Sequence, residues 1–183
     1  MELVKFTQSS KILKYILIII LGSVALTISA KIKIPFYPVP MTMQTFVVLL
    51  LGISFGYRIA IASVGLYLLE GILGLPVFSN SPEKGIGIVY FTGPTMGYLI
   101  GFLIASFFSG YLNFRTNIFL IFLKLIFSVS FIYIFGIIWL GTLICWDKPI
   151  IQLGVTPFLL AELFKILLLT FLAKKILSFR KFI

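Results

Sequence analysis

Six runs of apolar residues, each broken by Pro, Gly or charged residues, divide the chain. They lie near residues 12–30, 41–56, 59–75, 94–112, 116–144 and 156–173. A helix needs roughly 20 apolar residues to cross a bilayer, and most of these runs meet that length. The second is the shortest, so its limits are the least sharply drawn. Continuous runs, rather than alternation over ~10-residue strands, exclude a transmembrane barrel. The pattern predicts an all-α integral membrane protein: six transmembrane helices in one bundle, residues 1–183 forming a single transmembrane domain.

Two connections stand out. Ile34 to Pro40 carries Pro35, Pro38 and Pro40, which cannot continue a helix and predict an extended, stiff rim. The longest connection, Gly74 to Thr92, is rich in Pro, Gly, Ser and Asn, and loops of this length are usually functional. The first run follows Lys11 and Lys14 and ends at Ser29-Ala30, like a signal peptide. It is long for one, and Ile28 is a poor residue for a small-x-small cleavage site, so it is read as a retained helix.

Composition agrees with the pattern. Of 183 residues, 61% are hydrophobic and 11% charged, against about 45–50% and 25% in a soluble domain. The absence of His and the single Cys145 exclude disulfide frameworks, Cys/His metal sites and His-based catalysis. No cofactor or metal is implied, and without a phosphate-cradling G-x-x-x-x-G-K-[ST] loop the chain is not its own ATPase. The net charge of +10 could suggest nucleic acid, but the basic residues segregate by side. Lys5, Lys11, Lys14, Arg58, Arg115, Lys174, Lys175, Arg180 and Lys181 fall on one side of a six-span chain. Lys31, Lys33, Lys84 and Lys148 fall on the other. Nine against four places both termini in the cytoplasm and leaves no need for a nucleic-acid partner.

Polar groups inside spans are costly and mark candidate sites. Glu162 and Lys165, three residues apart in the last span, share one helical face near the outer surface. They form either an internal ion pair or the polar end of a ligand site. Gln44 enters the second span at the same level, where it serves an interhelical hydrogen bond or a ligand. Asn80 lies in the long outer loop, with turn chemistry as its alternative role. Glu70 ends the third span, with an outer Lys as its predicted partner. Phe36, Tyr37, Phe78, Tyr90, Phe91 and Tyr98 bring aromatic area to that side, for a pocket or an interfacial belt. Gly93, Gly97, Gly101, Ala105 and Ser109 make a small-residue ridge predicted to pack tightly inside the bundle. Gly22, Ala25 and Ser29 form a shorter one, for internal packing or for docking another membrane subunit. Lys124 is predicted to snorkel toward the cytoplasmic end.

The strings PVPMTMQTFVVLLLGISFGYRIA, YLLEGILGLPVF, FTGPTMGYLIGF and TPFLLAELFK together resemble the BioY family, the biotin-binding S-components of energy-coupling factor (ECF) transporters. The resemblance runs from about Lys33 to Lys165. It implies a six-helix membrane protein that captures biotin outside and docks, largely through its first helix, on a transmembrane coupling subunit with two ATPase subunits. The family's binding residues carry over as Glu162 and Lys165, with Asn80 in the loop. Gln44, Tyr37, Phe78 and Tyr98 complete the predicted lining, and Gly22, Ala25 and Ser29 the docking ridge. The chain departs from the family pattern in Glu162, where Asp is usual, and in Glu70, where a small or apolar residue is usual. Two other classes compete. A proton-coupled secondary transporter lacks the expected inverted repeat. A membrane-embedded enzyme lacks a nucleophile–base pair.

Overall fold

A computed structural model of the chain describes the backbone of residues 2–182 and the side chains of residues 11–180. Lys5 and Lys181, counted above among the basic residues, lie outside the described side chains. The elements are α1 (Glu2–Lys31), β1 (Lys33–Ile34), β2 (Met41–Thr42), α2 (Gln44–Ile72), α3 (Met96–Tyr111), α4 (Ile118–Ile144), α5 (Ile150–Gly154) and α6 (Leu159–Ile176). Four helical stretches are long and apolar enough to cross a membrane, and Met96–Tyr111 is a shorter apolar helix.

The stretch called α2 is two helices. Gly56 has φ 79° and ψ 170°, a conformation that residues with a Cβ rarely adopt, and it divides the helix into arms 44–55 and 57–72. The amide Nε2 of Gln44 donates to the Tyr67 hydroxyl at 2.7 Å. On a straight helix those residues would stand about 34 Å apart, so the arms fold back on each other. With α1, α3, α4 and α6 they make six helical segments, and the break falls where the apolar pattern places it, between 56 and 59.

The first arm is shorter than expected because residues 41 and 42 belong to a ribbon. Lys33 pairs with Thr42 and Ile34 with Met41 in an antiparallel ladder. The Pro-rich stretch is therefore not an extended rim but the tip of a tight hairpin, and it adds a small β element to the all-α expectation. This hairpin turns Tyr37 outward, to 83% exposure, while Val39 is buried.

Helix α3 is the bundle's central wall. Its small-residue ridge packs internally, as predicted. A Cβ on Gly101 would lie 2.5 Å from the Ile132 Cα of α4, and Ala105 and Ser109 are fully buried. Small residues allow this approach, which compensates in lipid for the missing hydrophobic drive between helices. The indole of Trp139 donates to the Gly93 carbonyl at 2.9 Å and ties the start of the ridge to α4. Asn117 caps α4 by accepting from the Leu120 amide at 2.9 Å. Lys124 donates to the Asn113 carbonyl at 2.6 Å, the predicted reach toward the helix start.

The ridge on α1 also turns inward. Gly22 faces Ser63 and Leu51 of the two α2 arms, and Ser29 is buried. Gly22 and Ser29 thus serve the chain's own packing, while Ala25 stays half-buried. The exposed side of α1 is instead Leu13, Leu17, Leu21 and Ile28. Glu70 accepts from the Ser23 hydroxyl of α1 rather than pairing with an outer lysine.

Candidate functional site

Near one end of the bundle, α6 carries Glu162 and Lys165 one turn apart on its inner face, and each is only 4% exposed. Their Oε2 and Nζ atoms lie 2.8 Å apart. Ions are expensive to bury unless they are paired and their remaining donors and acceptors are met. The first arm of α2, β2 and α4 each supply one of those partners. Thr45 Oγ1 donates to Glu162 Oε2 at 3.0 Å and accepts from Lys165 Nζ. Lys165 also donates to the Thr42 carbonyl at 3.2 Å, and the Tyr133 hydroxyl of α4 donates to Glu162 Oε2 at 3.2 Å.

The result is asymmetric. The three ammonium protons have three acceptors: the Thr42 carbonyl, Thr45 Oγ1 and Glu162 Oε2. Glu162 Oε2 is shared by Thr45, Tyr133 and Lys165, yet Oε1 is buried with no hydrogen-bond partner among the described residues. A carboxylate oxygen withdrawn from water and left unmatched is unfavourable, and a ligand N–H or O–H placed there relieves it.

Glu162 also lines a cavity. Gln44, Thr45, Phe78, Tyr98, Glu162 and Lys165 line it, with Tyr67, Phe102, Tyr133 and Phe158. Phe78 stacks on Tyr90 at 4.5 Å between ring centroids and meets Tyr67 edge-on at 5.3 Å, so the wall is largely aromatic. The Tyr98 hydroxyl is spent on the Gly154 carbonyl at 2.8 Å, which fixes its ring as a surface. Gln44 Oε1 accepts from Thr42 at 3.2 Å while its amide holds Tyr67. An apolar pocket with a few oriented polar groups is the usual form of a small-molecule site.

The cavity measures about 60 Å³. Small-molecule pockets usually span about 300–1,000 Å³, so a ligand of more than a few atoms must displace part of the wall. Phe78, Ser79 and Tyr90 are the lining residues carried by the long loop. Two lysines hold that loop. Lys31 donates to the carbonyls of Phe78 and Ser81 at 2.8 and 3.0 Å. Lys33 donates to the Ser79 carbonyl at 2.7 Å and to Asn80 Oδ1 at 3.0 Å.

The structure thus brings together Glu162, Lys165, Gln44, Phe78 and Tyr98, and does not bring Asn80 or Tyr37 to the cavity wall. Asn80 is engaged by Lys33 in the loop, and Tyr37 points away from the bundle. Phe36 sits edge-on to Phe158 at 6.1 Å, outside the cavity. The sequence pattern does not single out Thr45, Tyr67 or Tyr133. A hydroxyl inside an apolar run is a weak version of the signal that exposes Glu162, so each is detectable only as one of several such groups.

Comparison with known proteins bears on this arrangement. The model of the BioY family matches residues 4–182. The chain is 36% identical over 143 residues to a probable biotin transporter BioY of Pyrococcus horikoshii, covering 78% of this chain and 83% of that protein. It is 33% identical over 152 residues to the biotin transporter BioY of Thermotoga maritima, covering 82% and 88%. A crystal structure of the S-component for biotin from an ECF-type ABC transporter has the same fold, with a TM-score of 0.76 at 23% identity over 92% of this chain and 93% of that one. With a family match along nearly its whole length and six helical segments around a buried acid–lysine pair, the chain belongs to the BioY family.

Proposed function

We propose that this protein captures biotin at the outer face of the cell membrane and delivers it inward as the substrate-binding S-component of an ECF transporter. Glu162 Oε1 carries the reading. It is a buried acceptor in need of a donor, beside an aromatic cavity, and the ureido ring of biotin offers N–H donors. The ureido carbonyl accepts a hydrogen bond from Lys165 in place of the Thr42 carbonyl. The fused sulfur ring lies against Phe78, Tyr98 and Phe102, and the valerate carboxylate stays toward the outer rim. A site that matches specific polar groups rejects analogues lacking them, because its own buried partners are then left unpaired. The names of the relatives support biotin over other vitamins.

Residues 1–183 act as one transmembrane domain with both termini in the cytoplasm, the orientation favoured by nine basic residues against four. Transport energy comes from partners, a transmembrane coupling subunit and two ATPase subunits, since the chain has no phosphate-binding loop of its own. Those partners and the surrounding lipid meet the outward apolar side of α1. Entry of biotin swings Phe78 and its loop outward against the bonds made by Lys31 and Lys33.

Binding of labelled biotin to the purified protein in detergent tests the reading. Saturable binding displaced by unlabelled biotin, and lost in Glu162→Gln and Lys165→Ala, is the expected result. A monodisperse wild type that binds no biotin would withdraw the substrate and leave only the fold.

A further inference from the structure

At the opposite end of the bundle from the cavity lies a second cleft, of about 730 Å³, between α1 and the turn of α2. Tyr15, Ile19, Phe55, Arg58, Tyr111 and Arg180 line it. Its chemistry is graded. Ile19 and Phe55 make an apolar floor, continuous with the exposed Ile12 and Ile16 of α1. Tyr15 and Tyr111 form a half-open aromatic rim, the residue type that settles where a membrane meets water. Above the rim are guanidinium groups and no acid: among the described residues no Asp or Glu lines the cleft.

The cations are free to meet a ligand. Arg58 is exposed, and its guanidinium lies 5.8 Å from the centre of the Tyr57 ring, donating to that hydroxyl at 3.2 Å. Arg180 commits Nε and Nη2 to the carbonyls of Ile53, Gly52 and Gly110, at 2.8, 3.0 and 3.0 Å, which leaves Nη1 for an outside acceptor. Arg115 is exposed and close enough to act electrostatically on Arg180. Lys11 lies one helical turn before Tyr15. Glu70, Glu83, Asp147 and Glu162 all belong to the other end of the bundle, so no acid among the described residues neutralises this cluster.

We propose that this cleft binds an anionic phospholipid, its headgroup phosphate between Arg58 and Arg180 and one acyl chain along Ile19 and Phe55. Phosphate suits the planar forked donors of arginine, which engage it bidentately. A basic pocket between membrane helices, with a floor that runs out onto lipid-facing residues, fits a headgroup together with its chain. An acidic protein segment would use the charges and leave the floor and its lateral opening unexplained. The bound lipid pins α1 to the α2 turn at the end where the chain is most basic.

Lipid retention on the purified, delipidated full-length protein, followed by native mass spectrometry, is the test. Phosphatidylglycerol and phosphatidylcholine of matched chains are titrated into the wild type, Arg58→Gln and the double variant Arg58→Gln/Arg115→Gln. Arg180 is left intact because its carbonyl bonds hold the fold, and an unchanged melting temperature verifies that the variants are folded. Phosphatidylglycerol binds the wild type at least about thirtyfold more tightly than phosphatidylcholine, and that preference falls about fivefold with each arginine removed. Equal binding of the two lipids would overturn the proposal, as would a preference unaltered in the double variant. Displacement of phosphatidylglycerol by equimolar inorganic phosphate would reassign the cleft to a free anion. Loss of co-purification with a co-expressed coupling subunit in the double variant, without any lipid preference in the wild type, would reassign it to a protein partner.

Discussion

Lys165 and Arg180 are both cations of the last helical stretch held by distant parts of the chain, and the two ends of the bundle keep them by opposite means. Lys165 is paired with a carboxylate on its own helix, and the network around the pair ends in one unmatched oxygen, Glu162 Oε1. Arg180 has no acid beside it among the described residues. It bonds the backbone carbonyls of Gly52, Ile53 and Gly110, where the first arm of α2 and the end of α3 run out of intrahelical donors. A positive charge at a helix C-terminus is favourable in its own right. The first arrangement is a polar site with spare capacity beside a cavity. The second fastens two helix ends. Burial of a charge in a membrane protein therefore does not by itself mark a ligand site; the partners left unsatisfied do.

The largest effect should come from breaking the acid–lysine pair. Glu162→Gln or Lys165→Ala alone strands a buried partner and should cost about 3–5 kcal/mol in thermal unfolding. Replacing both, as Glu162→Leu with Lys165→Met, should recover most of that stability while biotin binding stays abolished. A double variant that still binds biotin would remove the pair from the site.

Gly101→Ala should cost about 2 kcal/mol, because the new Cβ meets the Ile132 backbone at 2.5 Å and α3 and α4 must separate. Ile132 also lines the cavity, so biotin affinity should fall with stability. Unchanged affinity in a destabilised variant would show that the ridge does not shape the site.

Arg180→Ala sharpens the contrast between the two cations. It should lower stability by about 1.5 kcal/mol, since its carbonyls lie near the membrane surface and regain water. Biotin affinity should not change. A marked loss of affinity would mean that the basic end and the cavity are coupled.

The smallest effect concerns the loop. Lys33→Ala removes bonds to Ser79 and Asn80 and should speed biotin association and dissociation about fivefold, the equivalent of about one net hydrogen bond in stopped-flow measurements. Unaltered rates would locate the entry path elsewhere.

Several of these residues are legible in the amino-acid sequence. Glu162, Lys165 and Gln44 announce themselves because a polar group in an apolar run demands a reason, and i,i+3 spacing sets the first two on one face. The aromatic side chains are harder to place. Phe78 and Tyr98 reach the cavity, whereas Tyr37 is carried outward by the ribbon that joins Lys33 to Thr42. Composition near Pro35 to Pro40 announces the end of a helix but not the direction in which the chain returns. The partners of Glu162 are hidden for a related reason: Thr45 is 117 residues away in the chain and Tyr133 is 29.

By itself the sequence determined the class of the protein, its six helical segments, the break near Gly56, the segregation of basic residues and the acid–lysine pair. Those follow from local sums: enough apolar side chains to fill a span, a glycine where the chain must bend, a charge where lipid would not tolerate one unpartnered. Tertiary structure alone decided which side of each helix looks inward. In water an amphipathic stripe reveals that side, but helices in lipid are apolar all round and carry no such mark. The small-residue face of α1 illustrates the point, since Gly22 and Ser29 could have faced another subunit and instead pack against the chain's own α2. Only the fold, by rotating each helix against its neighbours, turned Thr45, Tyr133 and Glu162 toward one another and left a single buried carboxylate oxygen unmatched.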